Sequence, residues 1–186
     1  DYMESVLWAF KQLWDKGLAY QGYRVLPYCW HDRTPLSNHE LKMDDDVYQD
    51  RQDNTVTVGL RLEEPLRQGA ERPELVLIWT TTPWTLPANT AVSLAPDADY
   101  VMVQADGSNM IMARELVEQV AEIAGWESYD LVRGADGEPV ALKGREFTGL
   151  TYTCPVRQDL KGTIIYGAHV TLDSGTGAVH TAPGHG

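Results

Sequence analysis

Leu75-Val76-Leu77-Ile78-Trp79-Thr80-Thr81-Thr82-Pro83-Trp84-Thr85-Leu86-Pro87-Ala88-Asn89 is the stretch from which the rest of the chain is read. Its first four residues are apolar at both parities, too short for a helix and rich in strand formers. That pattern predicts a strand buried on both faces. Three hydroxyls follow at once. Pro83 and Pro87 exclude a regular helix and push the residues before them toward extended geometry. The expectation is a rigid loop at a strand end, with Thr80 and Thr82 facing one way and Thr81 the other. Thr is also a common strand residue, and Thr-Pro is common turn punctuation. The functional alternative rests on the density of polar groups beside an interior strand. Buried hydroxyls need partners, and a substrate can provide them.

Outward from that stretch, the chain reads as mainly β. On its C-terminal side strands are expected over 90–94 and 99–104, with a hairpin turn at Asp106-Gly107 ahead of Met110-Ile111-Met112. A helix is expected over about 114–124, burying Leu116, Val117, Val120 and Ile123 and ending at Gly125. Further strands are expected over 162–166, 168–172 and 178–181. On the N-terminal side a strand is expected over 55–62 and another over 23–28. Residues 1–16 read as an amphipathic helix, with Met3, Val6, Leu7, Phe10, Leu13 and Trp14 on one stripe. Asp1 and Glu4 resemble a capping pair there, and Gly17 a stop. That stripe packs either on its own domain or on a neighbouring one. Many short strands and two helices that do not alternate with them argue against a Rossmann layout. They favour an α+β fold, mainly β, as a barrel or sandwich decorated by helices.

The chain has 186 residues, 43% of them hydrophobic, and a net charge of −12. Its mean hydropathy is −0.33. No apolar run approaches the ~18 residues of a membrane span, and no signal peptide is visible. The absence of an initial Met and the glycine-rich end suggest a piece of a longer chain. Cys29 and Cys154 are the only cysteines, which suggests a reducing compartment. The acidic balance should repel nucleic acid at long range, so any such contact must be local.

Other candidates are less specific. Cys29, His31, His39 and Glu40 offer metal-ligand types, but without the paired short spacings of zinc sites. Met43-Asp44-Asp45-Asp46 is a cation candidate or a solvated loop. Gly175-Thr176-Gly177 lacks the third glycine of a dinucleotide fingerprint, since His180 stands there. A tight turn into a strand carrying His180 is simpler. A Thr nucleophile lacks a nearby base in sequence. A hydrogen-bonding pocket that positions water is more economical.

Two stretches together carry a resemblance. The Trp79–Asn89 run and Gly175-Thr176-Gly177-Ala178-Val179-His180-Thr181-Ala182-Pro183-Gly184-His185-Gly186 resemble the signatures of the isoleucyl-tRNA synthetase editing domain. Thr34-Pro35-Leu36-Ser37-Asn38 resembles the lead-in to that insertion. The valyl and leucyl relatives have Thr-Thr-Arg-Pro where this chain has Thr80-Thr81-Thr82-Pro83. The resemblance implies a lead-in segment over 1–41 and a β-barrel editing domain over 42–186, continuing past the last residue. It implies hydrolysis of valine mischarged onto tRNA(Ile), and clearance of valyl-adenylate in the intact enzyme. Without hydrolysis, the same fold would be an aminoacyl-adenosine binding module. Thr80, Thr81, Thr82 and Asn89 would hold the ester, the terminal adenosine and water. His180 would sit beside the amino-acid side chain, with Trp84 walling the pocket. An aspartate gripping the substrate ammonium is expected about nine positions after His180, past Gly186. The implied partners are the 3′ end of tRNA(Ile) and the catalytic body of the synthetase. No membrane, metal or cofactor is implied for this domain, and a cytoplasmic location is. ATP belongs to the whole enzyme, whose adenylate-forming motifs the chain lacks.

Overall fold

The computed structural model describes residues 1–42, 48–67 and 70–185. The acidic run at 43–46 lies outside the described residues. The chain divides into two units, Asp1–Arg51 and Gln52–Gly186. No helix among the described residues is long and apolar enough to cross a membrane.

In the first unit, α1 spans Tyr2–Asp15 and buries none of its residues. Its apolar stripe is open, with Leu7 67% and Trp14 57% exposed. Asp1 makes no side-chain cap, and its amino terminus pairs with Glu4 instead. Gly17 ends the helix as expected. Its N–H bonds the Trp14 carbonyl at 2.9 Å, and the Leu18 N–H bonds the Leu13 carbonyl at 3.0 Å. The strand expected over 23–28 is reduced to β1 (Tyr28–Cys29), paired with β2 (Thr34–Pro35). Tyr23 and Val25 are exposed. Among the described residues of this unit the 23–28 segment has no further partner strand, so its alternation buries nothing there. The Cys29 thiol donates to Asp32, and Glu40 accepts from the Ser37 N–H. No group of three potential metal ligands occurs among the described residues.

The second unit is built on one sheet. Its strands are β3 (Val56–Leu62), β4 (Glu74–Thr80), β5 (Ala91–Leu94), β6 (Asp99–Ala105), β7 (Ser108–Ala113), β8 (Asp130–Leu131), β9 (Ala141–Lys143), β10 (Thr151–Cys154), β11 (Arg157–Tyr166) and β12 (Ala178–Thr181). The hydrogen-bonded order is β12-β5-β11-β10-β3-β4-β7-β6-β8, with β9 pairing β6. Pairs β5–β11 and β4–β7 are parallel, and the remaining pairs antiparallel. β4 is buried along both parities, as its sequence demands. The Asp106-Gly107 turn has φ of 46° and 78°, the two left-handed residues of a two-residue hairpin.

The sheet is open and not a closed barrel. It curls far enough that β12 packs against β4, but no ladder joins them. Gly175 and Gly177, both at φ 75°, break the extended run just before β12. Thr176 between them bridges the gap. Its hydroxyl donates to the Leu77 carbonyl at 2.6 Å, and its carbonyl accepts from the Ala113 N–H at 3.0 Å. The core inside the curl holds Leu60, Val76, Ile78, Met102, Tyr152 and Ile164, none more than 1% exposed.

Two expected elements differ. Residues 168–172 form no strand, because the chain turns at Ala168-His169 directly after β11. Instead the Val170 N–H closes a turn on the Gly167 carbonyl. The second helix begins with a 3-10 turn, Arg114–Leu116, before α2 (Val117–Ala124). The tighter turn rotates the stripe, so Leu116, Val117, Val120 and Ala121 are buried and Ile123 is 68% exposed.

Candidate functional site

The loop after β4 is not extended. Pro83–Ala88 forms a 3-10 helix. Pro83 opens it, where no N–H is required. The N–H of Thr85 bonds the Thr82 carbonyl, and that of Asn89 bonds the Leu86 carbonyl, each at 3.0 Å. Three residues per turn put Thr82 and Thr85 on one side. Trp84 is turned outward and is 71% exposed.

This short helix delivers the chain into β5, and β5 pairs antiparallel with β12, His180 lying opposite Val92. The pairing brings positions ninety residues apart into contact. Thr80, Thr81, Thr82 and His180 line one cleft of about 410 Å³. Thr81 and Thr82 are exposed, while Thr80 is buried and its hydroxyl accepts from the Thr82 N–H at 3.0 Å. The hydroxyls of Thr80 and Thr82 lie 3.4 Å apart and so share a side, but Thr81, expected to face the other way, lines the same cleft.

The half-buried His180 ring is held at both nitrogens. Nε2 lies 2.8 Å from the Thr85 hydroxyl, and Nδ1 lies 2.7 Å from the Asn89 amide nitrogen. Burial lowers its proton affinity below that of an ordinary histidine, and His185 lowers it further. Asn89 is 5% exposed and stands behind His180, outside the cleft lining. Trp84 is likewise not on the cleft wall. Trp79 is, and it also borders a second, more apolar cleft of about 590 Å³ beside α2. Gly175, on the cleft wall, has φ 75°, a conformation that L side chains rarely adopt, and a Cβ there would also come within 3.2 Å of the Trp79 ring.

Four contributors were not singled out from sequence. Thr85 closes on His180, and one-turn spacing from Thr82 was the available signal. His169 and His185 also line the cleft. Tyr152, fully buried on β10, donates to Asn89 at 2.6 Å. Nothing in Thr151-Tyr152-Thr153-Cys154 marks it out, because alternation there reads as ordinary strand.

Residues 1–147 match the family described as tRNA synthetases class I (I, L, M and V). An isoleucine–tRNA ligase of Mycobacterium tuberculosis (strain CDC 1551 / Oshkosh) is 50% identical over 192 residues, covering 100% of this chain and 17% of the relative. That of Mycobacterium leprae (strain TN) is 47% identical over 194 residues, with the same coverage. The chain thus spans about a sixth of the length of these relatives. Among solved structures, GlLeuRS-CP1 superposes with a TM-score of 0.58 at 15% identity, covering 70% of this chain and 55% of that one. The Plasmodium knowlesi (P.knowlesi) cytosolic leucyl-tRNA synthetase editing domain gives 0.55 at 11% identity, covering 69% and 58%. At those identities the likeness concerns the fold alone. The family match covers most of the chain, and the chain belongs to the class I tRNA synthetases, the family of the I, L, M and V enzymes.

Proposed function

We propose that this chain is the editing domain of an isoleucyl enzyme and hydrolyses valine mischarged onto tRNA(Ile). The observation that carries the reading is the convergence of Thr80, Thr81, Thr82 and His180 on one cleft. Ester hydrolysis needs a held water and donors toward the developing oxyanion. Thr81 and Thr82 offer hydroxyls at the cleft surface, with no need of a metal or cofactor. His180, fixed at both nitrogens, forms a wall against which an amino-acid side chain is measured. One methylene changes binding by about 1–3 kcal/mol, a figure known from enzymes of this kind and not worked out from this cleft. A second site that rejects the larger side chain by shape adds the missing selectivity.

The partners in this proposal are the 3′ end of tRNA(Ile) and the catalytic body of the synthetase. The open apolar stripe of α1 is the surface we assign to that body. The −12 charge suits a domain that receives only a single-stranded end in the cytoplasm. ATP has no role in this step.

A second reading is an aminoacyl-adenosine binding module. It is favoured by the full engagement of His180, which leaves that ring unable to act as a base. Deacylation of Val-tRNA(Ile) by the chain, and by a version extended past Gly186, separates the two. Hydrolysis lost in Thr81→Ala and His180→Ala supports editing. Saturable binding of a nonhydrolysable valyl-adenosine analogue without hydrolysis supports the binding module. Neither activity in the extended version refutes both.

A further inference from the structure

Five hydrogen bonds join six groups through the β5 region. The Tyr152 hydroxyl donates to Asn89 Oδ1 at 2.6 Å. Asn89 Nδ2 reaches the Ala91 carbonyl at 3.1 Å and His180 Nδ1 at 2.7 Å. His180 Nε2 meets Thr85 Oγ1 at 2.8 Å, and Thr85 Oγ1 meets the Thr82 carbonyl at 2.8 Å. Tyr152, Asn89 and Thr85 are all more than nine-tenths buried.

Counting hydrogens assigns every bond. A carbonyl only accepts, so Ala91 fixes the amide with nitrogen toward it. That nitrogen only donates, so His180 Nδ1 is the acceptor. Thr85 has a single hydroxyl hydrogen, and the Thr82 carbonyl takes it. Its oxygen therefore accepts from His180 Nε2–H. The one assignment that satisfies all six groups is a neutral ring protonated at Nε2.

We infer that Tyr152 is a positioning residue of this site: acting through Asn89, whose amide the Ala91 carbonyl also holds, it helps lock His180 in the neutral Nε2–H tautomer and in one orientation. Tyr152 touches neither cleft nor ligand. Its ring is seated because position 162, its cross-strand partner, is glycine, and a Cβ there would overlap the phenol. The tyrosine cannot be displaced by water, since it is 0% exposed. The other titratable groups bordering His180 are His169 and His185 on the cleft wall. A locked ring is a fixed wall, so Tyr152 acts on which side chain is accepted and not on proton transfer. That last consequence rests on the editing reading, whereas the tautomer does not.

The test is a long-range proton–nitrogen NMR correlation on the chain labelled with nitrogen-15 in its five histidines. His180→Gln assigns the His180 signals. The native chain is expected to show a protonated Nε2 and an unprotonated Nδ1 at pH 7.5. Tyr152→Phe keeps the ring and removes only the donor. It is expected to move the His180 nitrogens toward averaged values, with circular dichroism confirming a native fold. With valyl and isoleucyl adenosine esters, the same variant is expected to narrow the preference for valine by up to about tenfold, the worth of one hydrogen bond. A native His180 that is charged or protonated at Nδ1 overturns the assignment without any variant. A folded Tyr152→Phe chain with an unchanged His180 spectrum overturns the role of Tyr152. The expected spectra in a version extended past Gly186 that neither binds nor cleaves either ester would leave the positioning intact and refute the editing reading.

Discussion

Thr176→Val tests the bridge that holds the curl of the sheet where no ladder closes it. Thr176 is 2% exposed, and its hydroxyl donates to the Leu77 carbonyl at 2.6 Å. Valine keeps the shape and removes the donor, so no cavity contributes. A buried carbonyl left short of a partner costs about 1–3 kcal/mol. At about 2–4 °C per kcal/mol for a chain of this size, ~2 kcal/mol lowers Tm by roughly 4–8 °C. The bridge also holds the Ala113 N–H at 3.0 Å. If it opens locally, exchange of the Ala113 amide accelerates by roughly 30-fold for the same ~2 kcal/mol. Thr176→Ser keeps the hydroxyl and drops one methyl, worth about 1 kcal/mol. It should leave Ala113 protected. Calorimetry and hydrogen exchange read both effects. A Thr176→Val chain that is as stable as the native one, with Ala113 still protected, refutes the bridging role.

Three further outcomes are expected. Because His180 binds its proton less readily in the folded chain, its contribution is full above pH 6.5. That contribution declines as pH falls from there toward the folded value, at no more than about 1.4 kcal/mol per pH unit for one proton. Solvent screening of a half-exposed ring lessens this further. Urea unfolding at pH 7.5 and 5.5 should show a smaller pH dependence in His180→Gln, and equal dependence in both chains would contradict the assignment. Trp84→Ala should change stability by less than about 0.5 kcal/mol, as befits an exposed ring, and leave binding of the valyl-adenosine analogue unaltered. Ile164→Val, at a fully buried position of β11, should cost about 0.5–1.5 kcal/mol in urea unfolding.

What sequence made legible was the local pattern. The alternation in β3, the double-sided burial of β4 and the Asp106-Gly107 turn follow from side-chain periodicity and backbone sterics within a few residues. The grouping of Thr80, Thr81 and Thr82 with His180 was legible only through two recognised stretches, because pairing partners ninety residues apart leave no local trace. What escaped depended on how neighbouring turns redirect the chain. Residues 168–172 have strand composition, yet the turn from Gly167 to Val170 takes them out of the sheet. Ile123 has the right helical spacing, but a 3-10 turn ahead of α2 shifts its phase. The short helix at Pro83–Ala88 escaped because prolines that exclude an α-helix are compatible with a tighter one. Tyr152 was invisible for the opposite reason, since its partner Asn89 meets it only across the sheet.

β5 is only four residues long, yet it is gripped on both edges, by β11 in parallel and by β12 in antiparallel register. Any fluctuation wide enough to part the imidazole from the amide must unzip the β5–β12 ladder. The geometry around His180 is therefore set jointly by the β5–β12 pairing and by the short helix that carries Thr85 and leads into Asn89. A ligand must meet that part of the cavity at its resting dimensions. Adaptation is left to the threonine rim, where side chains can turn without breaking the ladder.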